Sequence, residues 1–217
     1  MKIAYYFEPI EGMSGHDDIP SLIEAHTRSF QRHGWEVVAL DESVSRQHPL
    51  FSEFDDANSV FAQSRNGWPY TRACYMRWLA YASAGHYFAD FDIMNYGFVA
   101  EDAEALRAEA GGPKLLSGAG AAGLFKGDEY DSILDAFLSY KKNPFIEGAL
   151  KEDVNDMTIL IQCRPDIFSS IWNDDVRIAR DYSCPGWDVA KLVHYPFHYV
   201  KPPRIKTVME DRRLGDL

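Results

Sequence analysis

The sequence predicts an α/β fold, a mostly parallel sheet flanked by helices. Three observations predict it. Residues 3–7 form a short apolar run, residues 21–33 carry a helical apolar stripe, and residues 35–40 form a second apolar run. Strand, helix and strand at this length make a βαβ unit, whose two strands lie parallel with a right-handed crossover. Glycines then close helical stretches at Gly34 and Gly85 and return the chain to strand-like segments. The pattern assigns residues 1–200 to one domain and residues 201–217, Pro-rich and then charged, to a surface tail.

In order, residues 3–7 read as a buried first strand and residues 8–20, with Pro, Gly and Asp, as a loop. Leu22, Ile23, Ala25 and Phe30 mark the first helix, and residues 35–40 the second strand. Residues 42–69 read as an irregular connection, and one this long is often functional. Residues 70–84 follow as a helix with Cys74, Trp78, Leu79 and Tyr81 on its apolar side. Residues 86–92 are the strand that leads into an acidic pair, and residues 102–110 a short helix. Residues 114–117 read as a strand and Gly118 to Gly123 as a flexible loop, since the run lacks the GK[ST] ending of a P-loop. Residues 128–140 and 153–162 read as helices, residues 176–182 and 190–195 as the last strands.

Composition narrows the class. Hydrophobic residues are 46% of the 217, enough for a substantial core. The net charge of −11 argues against a general nucleic-acid binder, which needs a basic face. Cys74, Cys163 and Cys184 form no CxxC pair and read as packing residues in a reducing compartment. No apolar run approaches the about 20 residues of a transmembrane helix, so the expectation is a soluble, cytoplasmic chain.

Asp90-Phe91-Asp92 carries the chemistry. In an extended backbone the two aspartates share a face and Phe91 turns back into the protein. Two converging carboxylates repel unless a positive group sits between them. A hard divalent cation, Mg²⁺ or Mn²⁺, itself holding a substrate diphosphate, is one chemical answer. The bland alternative is a strand-end turn with solvated aspartates.

The segment from Arg77 through Gly85 and Tyr87 to Asp90 and Asp92 resembles the helix–Gly–strand–DxD segment of GT-A-fold glycosyltransferases of the DxD sugar-transferase type. The likeness spans residues 70–97, with His86 in place of a second glycine and Cys74 where those families often carry an aspartate. The resemblance implies a GT-A-like, Rossmann-type mixed and mostly parallel sheet, and a nucleoside-diphosphate sugar as donor, with the acceptor left open. It implies Mn²⁺ or Mg²⁺ held by Asp92 and, through water, Asp90, which would neutralise the departing diphosphate. Tyr5, Tyr6 and Phe7 would line the nucleotide, although the same rings fit core packing. Arg77 would grip Asp90 or the donor, or else lie on a solvent-facing helix side. A late histidine, His194 or His198, would complete the metal shell, or serve as a structural histidine in an aromatic turn. Asp153 fits a helix cap, and Asp156, with Asp153, could act as base for an acceptor hydroxyl.

Two other classes stay open. A DxD phosphohydrolase usually follows its nucleophilic aspartate with small hydroxylic residues, which Ile93-Met94-Asn95 do not provide. A GT-A-like module that binds nucleotide without turnover is the other.

Overall fold

A computed structural model describes residues 1–10, 18–58, 68–117, 120–140, 155–168, 175–196, 204–211 and 213–215. It is a mixed α/β structure with two sheets flanked by helices. The first sheet has the order β2-β1-β3-β5, where β1 is Lys2–Tyr6, β2 Glu36–Leu40, β3 Tyr87–Ala89 and β5 Ala122–Gly123. The second has the order β4-β7-β6, where β4 is Ile93–Asn95, β6 Ala179–Asp181 and β7 Leu192–His194. The sheets are only partly parallel. β1 runs parallel to β2 and β3, and β6 to β7, but β3–β5 and β4–β7 are antiparallel. The expected single, mostly parallel sheet is thus replaced by two mixed ones.

The βαβ opening holds. α1, Ile19–Gln31, buries Leu22, Ala25, His26, Ser29 and Phe30 at helical spacing and connects β1 to its parallel neighbour β2. β1 is central, so Ile3, Ala4, Tyr5 and Tyr6 are all buried, as a strand covered on both faces requires. Alternate side chains serve different cores. Ala4, Tyr6 and Phe88 face a cluster with Trp78, Tyr81, Phe125, Tyr130 and Phe137; Ile3, Tyr87 and Ala89 face one with Phe30, Trp35, Phe98 and Leu106.

Residues 42–58 are more ordered than the sequence suggests. Asp41 caps α2, Glu42–Ser45, by accepting from the Ser43 amide at 2.9 Å. α3, Phe51–Asn58, inserts the fully buried Phe54 into the first core. α4, Trp68–Ala84, is the long helix behind the first sheet, and Gly85 at φ +62° reverses the chain into β3. α5 is Ala100–Ala110, α6 Asp131–Tyr140 and α7 Asp156–Cys163.

The glycine-rich run is another departure. Its last two residues are β5, whose Gly123 pairs with Phe88 and lets that ring lie against the backbone. The C-terminal segment also differs from a surface tail. α8, Arg204–Glu210, packs on α1 with Val208 and Leu214 buried beside Leu22, Met94 and Val193. The Asp18 carboxylate accepts from the Ile205 amide at 3.1 Å and fixes the start of α8. Among the described residues no helix is long and apolar enough to cross a membrane.

Candidate functional site

The acidic pair is a tight turn rather than an extended strand end. Asp90 N–H donates to Ala121 O at 2.6 Å, and Ile93 N–H donates back to Asp90 O at 2.9 Å. The turn carries the chain from β3 in the first sheet to β4 in the second, and the change of sheet is why the backbone folds there. Phe91 is half-buried against Phe7, with ring centroids 5.6 Å apart. The two carboxylates therefore meet different partners.

Asp90 faces α4. Arg77 Nη1 donates to both its oxygens, at 3.1 and 2.9 Å, and Tyr81 Oη donates to Oδ1 at 3.3 Å. Arg77 also donates through Nη2 to Asp156 Oδ2 at 2.6 Å, and Trp78 Nε1 donates to the same oxygen at 3.0 Å. Burial pushes the Asp90 carboxyl up to about 6; Arg77 opposes that rise and Asp92 adds to it. Asp156 enters this cluster because Asn155 caps α7, accepting from the Thr158 amide at 2.9 Å, and sets Asp156 in the buried first turn.

Asp92 faces the second sheet. His194 Nε2 lies 3.4 Å from Asp92 Oδ1, and Arg204 Nη1 donates to Oδ2 at 2.8 Å. Sheet register explains the meeting. His194 pairs with Ile93 on β4 and with Asp181 on β6, and Tyr195 N–H donates to Asp92 O at 2.9 Å. His194 Nδ1 donates to Asp181 Oδ1 at 2.7 Å, leaving Nε2 toward Asp92. Burial alone would lower the His194 pKa, but the Asp92 and Asp181 carboxylates outweigh it and raise it to about 10. Burial likewise works against the Asp92 carboxylate, yet His194 and Arg204 hold its pKa below the ordinary value.

Asp90, Asp92, Arg77, Asp156 and His194 thus fall in one region. Asp153 and His198 lie outside the described residues. Tyr5 and Tyr6 are buried: Tyr5 packs edge-on against His26, and Tyr6 Oη donates to Glu8 at 2.6 Å. Of the three aromatics at the first strand, Phe7 alone is partly exposed.

Sequence reasoning missed Asp181 and Arg204. Asp181 carries no local signal, because only the parallel β6–β7 pairing sets it beside His194. Arg204 sits where Ile205, Val208 and Met209 recur at helical spacing, a pattern that marks an amphipathic helix.

Among the described residues no three His, Cys, Asp or Glu side chains are arranged to hold a metal ion. Both Asp92 oxygens meet positive groups, His194 at Oδ1 and Arg204 at Oδ2, so a cation there would have to displace the His194 Nε2 proton. Mg²⁺ is commonly held by one or two carboxylates, with water and substrate phosphates filling the rest. A histidine whose Nδ1–H is fixed by a carboxylate, with Nε2 turned to the site, is also the usual outer arrangement of a metal-binding imidazole. Comparison of the chain with protein-family models, curated proteins and solved structures finds no match.

Proposed function

We propose that this protein is a metal-dependent glycosyltransferase that uses a nucleoside-diphosphate sugar. The observation that supports the reading is the approach of His194 Nε2 to Asp92 Oδ1, 3.4 Å apart, from a late strand to the turn after β3. That turn follows the carboxyl end of β3, beside the end of β1, where open α/β sheets bind ligands.

In this reading Asp92 and, once it has given up its Nε2 proton, His194 would hold Mn²⁺ or Mg²⁺. The bound cation supplies Lewis-acid neutralisation of the departing diphosphate. Asp181 accepts from His194 Nδ1 and turns Nε2 toward Asp92, where a cation would take the place of the Nε2 proton. Arg77 clamps Asp90 with two hydrogen bonds and keeps that carboxylate oriented at the turn. Asp156, buried and accepting from both Arg77 and Trp78, anchors Arg77 and is assigned as a positioning residue rather than the acceptor base. Phe7, partly exposed just after β1, is the aromatic that offers a face to the nucleotide base.

A protein that binds nucleotide without turnover is the second reading, favoured by the guanidinium partners of both aspartates. Donor hydrolysis separates the two, because such a protein binds nucleotide yet releases no sugar. The primary test is a thermal-shift screen of UDP and GDP with and without Mn²⁺. The proposal expects a shift that needs the metal and the nucleotide together; no shift with either nucleotide in the presence of Mn²⁺ would sink it.

A further inference from the structure

Beyond α8 a guanidinium is held between two rings. Arg213 Cζ lies 3.9 Å from the centre of the Tyr96 ring and 5.1 Å from that of Trp187. Its Nη1 donates to two backbone carbonyls, Asp188 O at 3.0 Å and Ala190 O at 3.1 Å. Nη2 and Nε donate to the Asp211 carboxylate, at 2.8 and 3.2 Å. Aromatic rings, carbonyls and a carboxylate are the groups that recognise a guanidinium. The Arg213 side chain is 26% exposed, so solvent reaches this cage.

Most of the cage comes from elements other than the one that fills it. Tyr96 follows β4, and its Oη is hydrogen-bonded to Tyr195 Oη at 2.5 Å. Tyr195 Oη in turn donates to Asp211 Oδ2 at 3.0 Å. Tyr182 packs against both Trp187 and Tyr195, with ring centroids 4.6 and 5.1 Å apart. Trp187, Asp188 and Ala190 lie on the loop from β6 to β7, where Ser183 has φ +73°. Ser183 is the one non-glycine at positive φ among the described residues. Such a conformation is costly and persists where the surroundings impose it, ligand clamps included.

Filling the cage fastens a longer segment. At its start Arg204 donates to Asp92, and the Ile205 amide donates to Asp18. Past the cage, Arg32 donates to Leu214 O. Between these points Val208 and Leu214 are the buried apolar side chains among the described residues. A segment with few buried apolar contacts opens at low cost.

We propose that Tyr96, Trp187 and the Asp188 and Ala190 carbonyls form a binding site for a guanidinium cation, filled in cis by Arg213 as a tethered ligand. The segment from Arg204 to Leu214 is then a latch. A guanidinium from solution that takes the cage releases the segment, and withdraws Arg204 from Asp92 with it. This holds whatever reaction the Asp92 turn serves.

The test is amide hydrogen exchange on the full chain, read at Ile205 and Leu214 with Tyr5 of β1 as the control. The probe is methylguanidinium chloride, compared with sodium chloride at equal ionic strength. In the wild type the probe competes with Arg213, whose effective concentration as a tethered ligand is of millimolar order, so about 50 mM is expected to speed exchange at both amides about threefold. In Arg213→Ala both amides should exchange about tenfold faster than in the wild type before any probe is added. There the probe fills an empty cage, bridges it to Asp211 and should slow exchange again. The two proteins therefore respond with opposite signs, whereas a denaturing action of guanidinium would speed exchange in both. Equal responses to the two salts in the wild type, or further acceleration in Arg213→Ala, overturn the proposal. A response at Leu214 without one at Ile205 overturns the latch. Should Arg213→Ala fail to fold, the wild-type titration decides alone.

Discussion

Asp92 and His194 stand 3.4 Å apart across the seam between a turn and a strand, and the β4–β7 ladder sets that distance. The antiparallel register that pairs Ile93 with His194 also brings Tyr195 N–H to Asp92 O, so backbone hydrogen bonds hold the two side chains together. A pair held by a ladder is pre-positioned, and binding does not have to order it.

Asp92→Asn keeps the shape and removes the charge. It is expected to abolish the Mn²⁺-dependent thermal shift given by UDP or GDP. It also removes the charged partner of the buried Arg204, so the protein without ligands should lose on the order of 3 kcal/mol of stability and melt at a lower temperature. A variant that keeps the full Mn²⁺-dependent shift would remove Asp92 from the metal site.

Arg77→Met should be among the more destabilising substitutions in the chain. It strands Asp90 and Asp156 in a buried setting, at a cost on the order of 3–5 kcal/mol. The same change made in an Asp156→Asn background is expected to cost clearly less, because one stranded charge is gone. Denaturant melts of the four proteins in the cycle give the coupling; additive losses would show that the Arg77–Asp156 contact at 2.6 Å carries no energy.

His26 gives a pH dependence. Its Nδ1–H donates to Ile93 O at 2.7 Å, Tyr5 and Phe30 pack against its ring, and Asp92 is the nearby charge. Burial depresses its pKa to about 4; the Ile93 carbonyl and Asp92 oppose that shift only in part. The fold holds His26 neutral while the unfolded chain takes up a proton near 6.5. Its contribution is therefore full above about pH 6.5, falls as pH drops toward 4, and totals on the order of 3 kcal/mol. His26→Gln, which cannot ionise, should flatten the melting-temperature slope across that window. An unchanged slope would assign it to other groups.

Gly123→Ala tests the packing of β5. An added Cβ would lie 2.5 Å from Phe88 Cε1 and 2.8 Å from Cζ, inside any real contact. The ring is also stacked on Tyr81, with centroids 4.5 Å apart, and cannot move without disturbing that pair. Overpacking of this kind should cost about 1–3 kcal/mol, read as a lower urea midpoint. Pairing it with Phe88→Leu, which removes the clashing ring edge, should recover part of the loss.

Much of the fold was legible in the chain. The β1–α1–β2 unit, the long helix ending at Gly85 and the late strands were readable because apolar periodicity and glycine stops are local signals. Short α2 and α3 were missed because their helical character rests on a cap at Asp41 and on the burial of Phe54, neither of which gives a long periodic run. The glycine run hid β5 for the opposite reason, since its strand state comes from pairing with β3 and not from propensity.

What the sequence alone determined is an opening βαβ unit, an acidic pair after β3, an arginine one helix earlier and a histidine ending a late strand. Tertiary structure decided how those residues are paired. It turned Asp90-Phe91-Asp92 from an extended pair into a turn between two sheets, gave Asp90 to Arg77 and Asp92 to His194 and Arg204, and drew α8 into the core. The physical reason is range. Periodicity and spacing are set by neighbours along the chain, whereas strand register and charge pairing between distant segments are set by which surfaces the whole chain can bury together.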